Sequence, residues 1–232
     1  MCIIELVCSR TRKMQRSPLQ NRVDPQGKLN AHLSKSSTLM GNRGILHNDE
    51  QEVVKQWVGS AWVTCLIHVS GLNRNTDKKG LFRPSNYSEL FFLDEATAFS
   101  AGHRPCAYCR RARYSEFKSA WLQANSSALS AKQSHSIKDI DRHLHAERAI
   151  RGGGKLTFRT AFSKLPSGAF VELDSRPYLL WNGSLRPWAF IGYDPSAPIS
   201  NAEEEVTVLT PRSTVAAFLV GFKPDVHPSV NA

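Results

Sequence analysis

The stretch from Leu90 to Arg111 constrains this chain more than any other. It runs from an apolar triplet, Leu90-Phe91-Phe92, through Asp94 and an alanine-rich segment to Gly102, and then to Cys106-Ala107-Tyr108-Cys109-Arg110-Arg111. The residues predict a short strand over Glu89 to Leu93. Asp94 should then cap a helix from Glu95 to Ala101, which Gly102 stops because it alone adopts a left-handed backbone without strain. Two cysteines separated by two residues can occupy two corners of a tetrahedral metal site. The arginines around them place positive charge where a phosphate could dock.

The flanking segments predict an α+β fold: a small mixed sheet with helices and the Cys-x-x-Cys metal knuckle, followed by a β-rich second half. Upstream, Val53 to Val58 and Ala61 to Val69 are rich in β-branched and aromatic residues and predict two strands joined at Gly59-Ser60. Downstream, Ser115 should cap a helix with Phe117, Trp121 and Leu122 on its apolar face. Ile137, Ile140 and Leu144 have the spacing of another helix, ending before Gly152-Gly153-Gly154. Strands are expected over Gly168 to Leu173, Tyr178 to Trp181, Leu185 to Phe190 and Val206 to Leu209, with Asn182-Gly183 as a hairpin turn. Thr210-Pro211 should start a final helix ending before Gly221. Met1 to about Ser37 shows no sustained period and is expected to be a poorly ordered basic lead-in. The division that follows is 1–37 lead-in, 38–158 metal-knuckle domain and 159–232 β-rich domain with a C-terminal helix.

Composition narrows the function classes. The 232 residues are 41% hydrophobic and 22% charged, a globular balance, and 30 Lys and Arg against 20 Asp and Glu give a net charge of +10. Such an excess suits an anionic partner, DNA or another nucleic acid first. Five unevenly spaced cysteines do not make a disulfide framework. No apolar run approaches the roughly 20 residues of a membrane span, so no membrane partner and a cytoplasmic location are expected.

Residues Ser88 to Cys109 resemble the Ada-type metal-binding module of bacterial DNA alkylation-response proteins. The resemblance rests on Phe91, Phe92, Glu95, Ala96, Ala101, Gly102, Arg104, Pro105, Cys106 and Cys109, with His103 where the family has an aromatic residue. It extends loosely over residues 62–111, and the chain as a whole resembles a widespread group of bacterial proteins that implies no activity. The module implies zinc held by four cysteines, two of them upstream. Here Gly80-Leu81-Phe82-Arg83-Pro84-Ser85 stands at the expected place of that pair, so methyl transfer to a cysteine is not implied.

Cys106 and Cys109 need further ligands, and Cys65, His68, His103 and His145 are the candidates for a zinc site. Zinc deaminases of nucleobases combine His-x-Glu with Pro-Cys-x-x-Cys. This chain has His145-Ala146-Glu147 and Pro105-Cys106-Ala107-Tyr108-Cys109, in reversed order. Two readings stay open beside that of an accessory or structural protein with no catalysis. One is a nucleic-acid-binding protein with a structural zinc knuckle, linked to DNA repair or modification, in which Arg104, Arg110, Arg111, Arg113 and Lys118 contact phosphate. The other is a zinc-dependent nucleobase or nucleotide hydrolase or deaminase with Glu147 as proton shuttle.

Overall fold

The computed structural model describes residues 17–68, 80–129 and 135–231. They build two sheets and four α-helices. The first sheet holds six strands: β1 (Gln20–Val23), β2 (Leu29–Ala31), β3 (Leu39–Asn42), β4 (Val63–Leu66), β5 (Leu90–Phe92) and β6 (Arg104–Pro105). Their spatial order is β2-β1-β5-β3-β4-β6. The helices are α1 (Glu95–Ser100), α2 (Arg111–Asn125), α3 (Ile137–Arg148) and α4 (Arg212–Leu219). The second sheet holds β7 (Phe158–Ala161), β8 (Phe170–Leu173), β9 (Arg176–Trp181), β10 (Ser184–Ala189), β11 (Gly192–Tyr193), β12 (Ala197–Pro198) and β13 (Glu205–Val208). It runs β11-β10-β9-β8-β13-β7, with β12 paired to β10. The α+β expectation and the β-rich second half are both present.

Several element ends are fixed by a side chain or a glycine. Asp94 caps α1, its Oδ1 accepting from the Thr97 N–H at 2.8 Å. Gly102 ends that run with φ +85°, and a Cβ there would lie 2.4 Å from Arg148 Cδ. The glycine is therefore required twice, by its backbone angle and by the arginine seated against it. Ser136 and Asp139 form a reciprocal capping box at the start of α3. Asn182-Gly183 turns between β9 and β10, both at positive φ.

Elsewhere tertiary context prevailed. The expected lead-in over residues 1–37 is corrected for its second half: β1 and β2 form a hairpin, and β1 pairs in parallel with β5 through Arg22 and Phe91. Each strand has only three or four residues, too few to show a period. Residues 1–16, with Cys2 and Cys8, lie outside the described residues. Val53 to Val58 does not form a strand; it makes a single bridge, His47 to Val53. Helix α2 begins at Arg111 rather than after Ser115, with Arg110 at the N-cap and no side-chain cap. Helix α4 starts at Arg212, while Thr210 turns back so that its Oγ1 accepts from the Phe170 N–H at 2.9 Å.

The boundary expected near residue 158 separates the two sheets but not two cores. Phe99 of α1 and Phe117 and Trp121 of α2 pack with Phe218 of α4 and Phe222 beyond it. Leu93 and Ala96 pack with Phe170, Leu179 and Trp188 of the second sheet. Burying such aromatic side chains is worth about 1.5–3 kcal/mol each, so these shared clusters couple the two halves. Among the described residues no helix is long and apolar enough to cross a membrane.

Candidate metal centre and its surroundings

Register brings the cysteines together. β4 and β6 pair in parallel, Val63 with Arg104 and Thr64 with Pro105. The Cys106 N–H continues the ladder, donating to Thr64 O at 2.9 Å. Cys65, the next residue of β4, is thereby delivered to the knuckle that follows β6. The sulfur atoms of Cys65, Cys106 and Cys109 lie within 4.8 Å of one another, and no disulfide joins them. Zinc–sulfur bonds of about 2.3 Å set tetrahedral thiolates roughly 3.8 Å apart, so the group needs only a small contraction around an ion. Three close cysteines of this kind can hold a metal ion.

The thiols are electrostatically prepared. A hydrogen bond from Cys65 is the main influence drawing Cys106 down to about 4, aided by the backbone N–H groups of Cys109 and Tyr108 and the Cys109 thiol, against desolvation. The Tyr108 N–H lies 3.4 Å from Cys106 Sγ. The first turn of α2, which begins just after the knuckle, carries no acidic residue to oppose thiolate charge. Cys65 is buried, while Cys106 and Cys109 are half-buried and Tyr108 at the tip is 72% exposed.

The histidines proposed as ligands lie elsewhere. His103 is buried between Phe92 and Trp62 and accepts from Arg43 Nε at 3.3 Å. Burial, with Arg43 and Arg148 nearby, holds it well below the ordinary histidine range. His145 packs edge-on against Trp57 and Trp62. Neither belongs to the three-thiol group. His68 is exposed at the end of the described segment after β4.

Glu147 also has a different setting from the one a deaminase needs. Its Oε2 accepts from Ser213 N–H at 3.1 Å and from Ser213 Oγ at 2.6 Å, in the first turn of α4. His143 lies 3.3 Å from its other oxygen. Burial pushes Glu147 up, but the bonds from His143 and Ser213 outweigh it and leave the carboxyl below its usual value. The carboxylate ties α3 to α4, and His145 is not brought to Cys106 and Cys109.

The arginines around the knuckle mostly turn inward. Arg104 makes a two-pronged pair with Asp141, both contacts 2.7 Å and both residues buried. Arg110 and Arg113 converge on buried Glu95 at 2.6 and 2.5 Å, and Arg113 also reaches Glu116 at 2.6 Å. These three are structural cations whose guanidinium groups are already matched by carboxylates, which corrects their expected presentation to phosphate. Arg111 is exposed and Lys118 half-buried; neither forms an ion pair among the described residues. Sequence alone could not sort these cations, because Asp141, which claims Arg104, lies 37 positions away, and Asp225, within 4 Å of Arg110 and Arg113, lies farther still.

Two arrangements were not legible in the sequence. Arg43 and Arg148 both lie over the Trp62 indole, their guanidinium carbons 4.3 and 4.2 Å from its centroid. Lys155 donates to Pro25 O at 2.7 Å and to Ser100 O. The sequence marks Arg148 and Lys155 as part of the basic excess around Gly152-Gly153-Gly154, and no pattern links them to positions 43 and 62. No family model matches the chain, and no curated protein and no solved structure matches it either.

Proposed function

We propose that this chain is a zinc-thiolate protein that binds single-stranded nucleic acid through the tip of its knuckle. The observation that carries the reading is Tyr108, 72% exposed between two cysteines of a three-thiol group. A large aromatic side chain left in water at a metal knuckle gives a surface on which an unpaired base can stack. Arg111 beside it, and Lys118 farther along α2, supply phosphate contacts in place of Arg104, Arg110 and Arg113, which carboxylates already hold. The net charge of +10 favours approach of a polyanion. Zinc is the metal that three thiolates suit best, with the fourth ligand from water or from outside the group. Its role is to fix the knuckle to β4, so that Tyr108 is presented rigidly.

The test is fluorescence anisotropy with a labelled oligothymidine, on zinc-loaded protein of verified metal content. Affinity should fall steeply with salt, and Tyr108→Ala should weaken binding roughly 5- to 100-fold, the range expected for loss of one base–aromatic stack. Unchanged affinity in Tyr108→Ala and Arg111→Ala, or no binding at low salt, would overturn the reading. Zinc content of the Cys65→Ser, Cys106→Ser and Cys109→Ser proteins tests the centre separately: each should lose the ion that the parent carries.

A further inference from the structure

A partly open cavity of about 210 Å³ is lined by residues from both sheets and the segments that flank them. Arg43, Arg148 and Lys155 line it, together with Trp57, Trp62 and Leu209. Arg43 and Arg148 are each only 2% exposed. None of the three cations makes an ion pair with a carboxylate of the described residues. Arg43 donates to His103 and to Gly27 O, Arg148 to Gly102 O and Ser60 O, and Lys155 to Pro25 O and Ser100 O, all neutral acceptors. Arg43 Nη2 and Arg148 Nε are buried with no hydrogen-bond partner.

The same chain shows what it does with a cation that is merely structural. Arg104 is matched by Asp141, and Arg110 and Arg113 by Glu95. One carboxylate, Glu172, stands in the wall and accepts from Gln26, and Asp24 nearby accepts from the Lys28 N–H and from Asn30; neither forms an ion pair with the three cations. Desolvated positive charge with no carboxylate in direct contact is costly, and an unpartnered guanidinium N–H in a cavity wall is a preformed donor. Desolvation bears this out, drawing Arg43 and Arg148 down to about 9 and Lys155 to about 7. An anion in the cavity would meet Arg43 Nη2 and remove that penalty. The volume exceeds that of a bare oxyanion, and indole and aliphatic side chains complete the wall.

We propose that this cavity is a binding site for a small organic anion, a carboxylate or phosphate monoester with an apolar body. Arg43 and Lys155 take the acidic head, and Trp57 and Leu209 cover the remainder. This site is separate from the proposed nucleic-acid contact at Tyr108.

Titration calorimetry with benzoate, phenyl phosphate and benzyl alcohol, supported by tryptophan fluorescence, tests it. Three probes share one ring and differ in the head group. At least one of the two acids should bind saturably, one per chain, and benzyl alcohol should not. Benzoate binding the tighter assigns a carboxylate, and phenyl phosphate a phosphate monoester. Arg43→Gln and Lys155→Met should each weaken the preferred acid at least tenfold, while Tyr108→Ala leaves it unchanged. Lys155→Met serves alone if Arg43→Gln does not fold. No saturable binding of either acid, equal binding of benzyl alcohol, or wild-type affinity in folded Lys155→Met would overturn the proposal.

Discussion

At the scale of single residues, Cys106 is the most chemically distinctive group in the knuckle. Held at about 4 chiefly by Cys65, it is a thiolate throughout the neutral range. The sign is that of an acid with a lowered pKa: the reactive anion is present above that value and is lost only as pH falls through it. Metal-free protein should therefore react with iodoacetamide at Cys106 with little change in rate down to about pH 5, where an ordinary thiol slows tenfold per unit. Mass-spectrometric site assignment across pH checks this. Cys65→Ser should move the fall in rate to higher pH, and a Cys106 profile like that of a free cysteine would contradict the geometry. Asp94, Gly102 and the Cys-x-x-Cys pair were legible because each acts within a few positions of itself. Cys65 was legible as a candidate, but its delivery to the knuckle depends on a two-residue parallel pairing that no local pattern encodes.

Among the elements, α4 illustrates how a motif can mislead. His145-Ala146-Glu147 has the residue types of a proton shuttle, yet Glu147 spends its carboxylate on the first turn of α4, where N–H groups lack intrahelical partners. Glu147→Gln keeps a side-chain oxygen but loses the charge at the helix start, and should cost about 0.5–1 kcal/mol. Ser213→Ala should cost about 1 kcal/mol by removing the hydroxyl. Urea unfolding of both single variants and of the double variant checks the pairing, because the double variant should lose less than the sum. Fully additive losses would separate the two residues energetically. The β1–β2 hairpin was the element least visible beforehand. Asn21 and Arg22 are polar residues inside a sheet, and Arg22 is accommodated by lying over the Phe91 ring at 4.7 Å. Helices α2 and α3 were visible because Phe117, Trp121, Ile140 and Leu144 repeat at helical spacing and point to one core.

For the whole molecule, the desolvated cations of the cavity set a dependence of stability on pH. Lys155 titrates near 7 in the folded chain and near 10.5 in the unfolded one, so between these values the unfolded chain binds the extra proton. Below pH 7 both forms are charged and the cost of burying the charge is present in full. Stability therefore rises from about pH 7 toward 9, and Arg43 and Arg148 extend the trend above that. Asp24 and Glu172 face Lys155 and moderate the rise. Melting temperature should climb by roughly 5–9 °C over that interval. Lys155→Met should flatten the climb, and a parallel curve for the variant would remove Lys155 as its source. The cavity also has an architectural consequence. Its wall joins Gly27 from the earliest hairpin, Trp62 before β4, Arg148 at the end of α3 and Glu172 on β8, so stretches 146 positions apart meet at Gln26 and Glu172. A guest there would act as a reversible cross-link across both sheets. At a hundredfold excess over its dissociation constant it would add about 2.7 kcal/mol to the folded state, making the working stability of this chain a readout of its supply of ligand.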